Sequence, residues 1–163
     1  RDSFFFKNCA ESNRRKIVLS QNKNYIFIED NDINDLKKIL IKTYERNNYK
    51  LDFDIDSKII FLKRFLNLGY IKIFKTFQND KLLSLTLFSV IGNNSIYMYG
   101  GRLTDDQNDL SLLYCLINSF YELKKIGINS IDLEGINSPK RGRFKTDFGC
   151  DIHPYYTINF NNF

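Results

Sequence analysis

A chain of 163 residues with 43% hydrophobic side chains can bury one core, and it contains no apolar run of membrane-spanning length. Its formal charge of +5 favours nucleotides, anionic glycans or membrane surfaces as partners without choosing among them. Cys9, Cys115 and Cys150 are an odd, widely spaced set with no CxxC pair, which argues against a disulfide scaffold and a structural zinc site.

In chain order, residues 1 to 16 read as a leading helix or loop with a basic end at Arg14, Arg15 and Lys16. The polar stretch Ser20 to Asn24 then turns into a strand at Tyr25 to Ile28. Asn31 to Asp35 supply capping groups for a helix whose apolar positions Leu36, Ile39, Leu40 and Tyr44 recur every three to four residues. A second helix is expected over Ser57 to Leu68, closed by Gly69. Strand-like blocks follow at Ile71 to Lys75, Leu82 to Val90 and Ile96 to Gly100, separated by the turn residues Asn79-Asp80 and Gly92-Asn93-Asn94. They predict an antiparallel meander.

Asp109 opens a third helix, with Leu112, Leu113, Leu116, Ile117, Phe120 and Leu123 on one face and Gly127 beyond its end. Cys115 falls inside this apolar pattern and is expected in the core. A buried strand is predicted at Ser130 to Leu133 and a last one at Tyr155 to Phe160. One compact α/β domain is expected, a mixed and largely antiparallel sheet flanked by helices.

The segment from Asp132 to Gly149 concentrates the chemistry. A strand ends in two carboxylates, Asp132 and Glu134, and a basic loop with Lys140, Arg141, Arg143 and Lys145 follows. Such cations pair with phosphates, and a carboxylate accepts a proton or holds a polar nucleophile. Asp132 and Glu134 would share a face if the strand stayed regular, but Gly135 can turn the chain. Tyr155 and Tyr156 offer an aromatic body and a hydroxyl to a sugar or peptide acceptor. Cys150 near His153 is a lesser nucleophile candidate that lacks an orienting residue. No metal site is expected.

Ser12 to Ile17 and the Asp132 to Gly149 stretch, ending in Phe-Lys-x-x-Phe-Gly, resemble motifs of the GNAT acyltransferase superfamily, in particular its Fem-type aminoacyl-transferring relatives. The resemblance extends from about residue 12 to residue 158. It implies a sheet flanked by helices, a groove for an activated acyl donor and transfer to an amine of a nucleotide-linked or lipid-linked glycan or cell-wall precursor. It also implies that Lys145 contacts phosphate or stabilises transfer, and that Asp132 supplies the polar strand end. Acyl-CoA or aminoacyl-tRNA is the implied donor, with tRNA then a partner.

Gly100, Gly101 and Arg102 occupy the place of the donor-binding loop, but the Arg/Gln-x-x-Gly-x-Gly/Ala pattern of acetyl-CoA-dependent relatives is not there. A Fem-like half-domain fits this departure. The chain begins at Arg1 rather than Met, so a second GNAT-like domain is expected as a partner in a larger enzyme. A cytoplasmic location is expected from the cysteine pattern and from a start without a signal-peptide pattern. The rival reading is a noncatalytic module that binds RNA, nucleotides or an anionic glycan through its basic surface.

Overall fold

Two tight hairpins organise the sheet. In the computed structural model, which describes residues 7–136 and 139–154 (backbone only at 139–141), strand β2 (Ile71–Gln78) turns into β3 (Lys81–Ile91) through Asn79 and Asp80 alone. Both turn residues have positive φ, 49° and 59°, as the two-residue turn that matches strand twist requires. Gly92, at φ 57°, begins the equally short connection to β4 (Asn94–Arg102). The predicted meander is therefore present, with each register anchored at its turn, Gln78 opposite Lys81 and Ile91 opposite Asn94.

Strand β1 (Ile26–Asp30) pairs antiparallel with β2, and β5 (Ser130–Asp132) pairs parallel with β4, giving the order β1-β2-β3-β4-β5. The parallel pair needs a crossover, which helix α4 (Ser111–Lys125) provides. Helix α1 (Glu11–Gln21) precedes β1. Helices α2 (Asn34–Arg46) and α3 (Ile55–Asn67) lie between β1 and β2 in the chain. The latter begins two residues before the expected Ser57, because Asp54 caps it by accepting from the Asp56 N–H at 3.0 Å and the Ser57 hydroxyl at 2.6 Å.

Strand alternation divides the core. Ile73, Leu85 and Leu87 pack with Leu36, Ile39 and Leu62 of α2 and α3. On the opposite face the Thr86 and Ser119 hydroxyls are 2.8 Å apart, and buried Cys115 donates to the Phe74 carbonyl at 3.4 Å. Cys115 is a core residue, as the helix pattern predicts. Lys75 also points inward and is only 1% exposed; its ammonium meets Asp30 of β1 and Asp35 of α2, each at 2.8 Å.

The chain divides into two compact units, the larger Arg15–Glu134 and the smaller Arg1–Arg14 with Gly135–Phe163. Within the smaller one, the basic segment expected as a loop is helix α5 (Pro139–Thr146). Proline is tolerated in a first helical turn, where its missing N–H has no partner to lose. Gly142 lets α5 approach the preceding segment, since a Cβ there would stand 2.7 Å from the Ile136 carbonyl oxygen. The Ala10 N–H donates to the Asp147 carbonyl at 2.8 Å, and Phe144 packs edge-on against Phe148. Contrary to expectation, β5 is not buried, with Ser130 and Asp132 both exposed. The strand expected at Tyr155 to Phe160 lies outside the described residues.

Candidate functional site

Strands β4 and β5 part company early. Their pairing covers Asn94, Ser95 and Ile96 against Ser130, Ile131 and Asp132, while β4 runs on to Arg102. Over Tyr97 to Arg102, β3 is the only described strand paired with β4. The register shifts between Leu87 and Phe88, so Met98 is an extra residue on β4 and forms a bulge. An exposed or partly exposed strand edge offers main-chain N–H and C=O groups to an extended ligand.

Tyr97 sits where the two strands separate. Its ring packs against Phe88 at 5.4 Å between centroids, and burial raises its phenol well above the ordinary tyrosine range, so the hydroxyl remains a proton donor at neutral pH. A Cβ on Gly100 would fall 1.8 Å from that hydroxyl oxygen. A Cβ on Gly101 would fall 2.6 Å from Thr43 Oγ1 and 2.7 Å from Ile39 Cγ2 of α2. The space beside both glycines is thus occupied by side chains of this protein. Sequence reasoning passed over Tyr97; the available signal was an aromatic three residues before a Gly-Gly pair at a strand end.

The link from β4 to α4 is internally neutralised. Asp109 accepts from the Ser111 N–H at 3.3 Å, the Ser111 hydroxyl at 2.6 Å and the Tyr25 hydroxyl at 3.2 Å. Lys42 pairs with Asp105 at 2.8 Å, and Arg46 donates to the carbonyls of Arg102 and Thr104. Arg102 itself donates to the Asp109 carbonyl at 3.2 Å. These residues do not form a charged pyrophosphate cradle. A diphosphate-bearing donor would rely here on main-chain N–H groups at the first turn of α4.

The two candidate carboxylates are not a strand-face pair. Asp132 accepts the Glu134 N–H at 2.6 Å, closing a two-residue side-chain turn, and Glu134 adopts φ 61°, which a non-glycine residue rarely holds. Both are exposed at the end of the larger unit. Within the smaller unit, half-buried Lys145 donates to the Gly135 carbonyl at 3.0 Å. Arg143 is exposed and lies 4.0 Å from Asp147, one helical turn on. The side chains of Lys140 and Arg141, and all of Tyr155 and Tyr156, lie outside the described residues.

Cys150 is exposed, and desolvation by the surrounding chain and the nearby Asp151 raise its thiol above the ordinary value, which weakens it as a nucleophile at neutral pH. His153 is exposed. Among the described residues no group of three or more His, Cys, Asp or Glu side chains is placed to hold a metal ion.

No protein-family model matches the sequence, and no curated protein matches it. Solved structures do. FemX superposes with a TM-score of 0.76 at 14% identity, over 91% of this chain and 56% of that one. A predicted acetyltransferase with acetyl-CoA from Clostridium acetobutylicum gives 0.64 at 13% identity, over 83% and 96%. An aminoglycoside acetyltransferase from an uncultured soil metagenomic sample, in complex with sisomicin, gives 0.60 at 12% identity, over 83% and 97%. The chain therefore spans little more than half the length of FemX and nearly the whole of the two acetyltransferases. The fold is GNAT-like, with the Fem-like similarity that the sequence motifs suggest.

Proposed function

We propose that this GNAT-like chain is an acyltransferase that moves an acyl or aminoacyl group from an activated donor to the amine of a nucleotide-linked or lipid-linked glycan or cell-wall precursor. The observation that carries the reading is the edge of β4 beyond Ile96, bordered by the Met98 bulge and by Tyr97. It supports a donor bound in extended form through main-chain hydrogen bonds.

Transfer needs the donor carbonyl close to a neutral amine, a proton acceptor for that amine and a donor for the developing oxyanion or leaving group. In this reading Asp132 and Glu134 orient or deprotonate the acceptor, and the neutral Tyr97 phenol serves as a proton donor beside β4. Lys145 balances negative charge, with Lys140, Arg141 and Arg143 as phosphate contacts and Tyr155 and Tyr156 against the acceptor. Gly100, Gly101 and Arg102 shape the donor end by fixing Tyr97, α2 and the start of α4. Acyl-CoA and aminoacyl-tRNA are the two donor classes. The second suits the neutralised β4–α4 link better, and brings with it tRNA, a related partner domain and a cytoplasmic setting.

Intact-mass detection of acceptor products tests the reading, with each donor class offered separately against amino-sugar nucleotides and cell-wall precursors. A mass increase that disappears without one donor establishes transfer and selects the donor. No product from folded, ligand-binding protein would favour the noncatalytic module. Lys145→Ala separates the two further: a transferase loses kcat, on the order of 10²-fold if the ammonium meets transition-state charge. A binding module changes affinity alone.

A further inference from the structure

Helix α3 presents an unusual outer face. Phe61 is 57% exposed, Leu68 67% and Ile91, at the end of β3, 64%, and Ile60, Phe65 and Tyr70 are exposed beside them. A groove of about 430 Å³ runs between Phe61, Phe65, Tyr70, Ile71, Ile91 and Met98 with an almost wholly apolar lining. Singly scattered apolar residues are ordinary on a protein surface, whereas a contiguous group with a groove through it marks an interaction site.

Charge decides what covers it. From Ser57 to Gln78 the sequence holds Lys58, Lys63, Arg64, Lys72 and Lys75 and no carboxylate. Lys75 is buried on its two aspartates, Lys72 pairs with Glu29 and half-buried Lys58 lies over the Phe53 ring at 3.9 Å, which leaves Lys63 and Arg64 exposed on α3 itself. Arg64 stands one turn from Ile60 and one turn from Leu68, inside the apolar stripe. A second copy of this chain meeting the patch through a two-fold axis would set Arg64 and Lys63 against themselves, a like-charge contact that opposes association. An anionic lipid surface satisfies both parts of the patch: phosphates take the cations, and the Phe and Leu side chains enter the acyl boundary.

We infer that the outer face of α3, with Tyr70 and Ile91, docks on an anionic lipid bilayer. The helix has 13 residues, and no helix among the described residues is long and apolar enough to cross a membrane. It lies in the interface instead, as amphipathic helices with basic flanks do. Tyr70 suits the headgroup level, where one end of the ring is dry and the hydroxyl wet. The groove can take one lipid chain. Met98 lines the groove and also borders the proposed donor edge, but the inference is tested apart from transfer, because none of the side chains altered below belongs to the proposed chemistry.

Co-sedimentation of the 163-residue chain with phosphatidylcholine vesicles, with and without phosphatidylglycerol, tests it. Binding is expected only to the anionic vesicles and weakens as salt is added. Phe61→Ser with Phe65→Ser should lower it roughly tenfold or more, and Arg64→Glu about fivefold or more. The altered residues are exposed, and circular dichroism verifies that the variants remain folded. Three results would overturn the inference: no binding to anionic vesicles, equal binding by the variants, or uptake of monomeric short-chain lipid into the groove without vesicle binding. Concentration-dependent self-association abolished by Phe61→Ser would also overturn it, in favour of a second copy.

Discussion

Replacing Lys75 by Met tests how the α2 face of the sheet is held. Burial acts to lower the Lys75 pKa, but its hydrogen bonds and charge contacts with Asp30 and Asp35 reverse that and raise it. Burial likewise acts to raise both aspartates, and Lys75, with backbone N–H donors at Asp30 and Lys38 at Asp35, brings them below the ordinary carboxylate value. Lys75→Met keeps the apolar stem, removes two charge-assisted bonds of 2.8 Å and leaves two carboxylates facing a buried thioether. Breaking a fully buried pair costs about 3–5 kcal/mol. Asp30 and Asp35 remain 29% and 20% exposed and can take up water, which places the expected loss near the lower end, about 3 kcal/mol.

For a domain of this size that loss corresponds to a fall in Tm of about 6–12 °C. Urea denaturation followed by circular dichroism measures it. The pH dependence supplies a second readout. Carboxylates depressed in the folded state contribute stability above their unfolded pKa of about 3.9, and that contribution is lost as pH falls through their folded values. The gap between wild type and Lys75→Met should therefore be full at neutral pH and narrow as pH falls below about 4. A loss under about 1 kcal/mol, or a gap that stays constant into acid, would refute the account of Lys75 as a buried cation braced by two carboxylates.

Gly101→Ala should destabilise by about 1–3 kcal/mol in the same urea assay, because its methyl would overlap Thr43 and Ile39 of α2, and wild-type stability would show that α2 can yield. Glu134→Gly removes a side chain from a left-handed position and should hold or raise stability by under about 1 kcal/mol. If the carboxylate serves the acceptor, the same variant loses transfer, so full activity would remove Glu134 from the proposed chemistry. In thiol alkylation of native protein, exposed Cys150 should react first. Cys9, with its thiol raised to about 11 by burial and by Cys150 against the lowering effect of Arg14, should follow only on unfolding, as should buried Cys115.

Much of the fold was legible because its signals are local. The spacing of Leu36, Ile39 and Leu40 marks α2, and Asn79-Asp80 marks a two-residue hairpin without knowledge of any partner. Helix α5 was missed because Pro139 to Thr146 has no apolar period; its packing rests on a glycine meeting the Ile136 carbonyl. Lys75 shares strand parity with Ile71 and Ile73, so the pattern points it inward, yet its partners come from β1 and α2 and only folding brings them together. The candidate site is a matter of composition in the sequence, and its geometry is not written there. Residues 132 to 145 contain the charged groups, but the turn that ties Asp132 to the Glu134 N–H and the Tyr97–Gly100 packing depend on backbone angles that residue types do not dictate.

The strand order also bears on the sequence of events in folding. Strands β2, β3 and β4 are joined by two-residue turns, and hairpins of this kind close in about 1–10 μs. Strand β1 pairs with β2 across the long excursion of α2 and α3, since Ile26 sits opposite Phe77. Closing that loop carries an entropy cost before any contact rewards it. The meander is thus expected to form first, with β1 docking late and leaving first. Amide exchange should accordingly show β1 opening on its own while the β2–β4 hydrogen bonds stay protected until global unfolding.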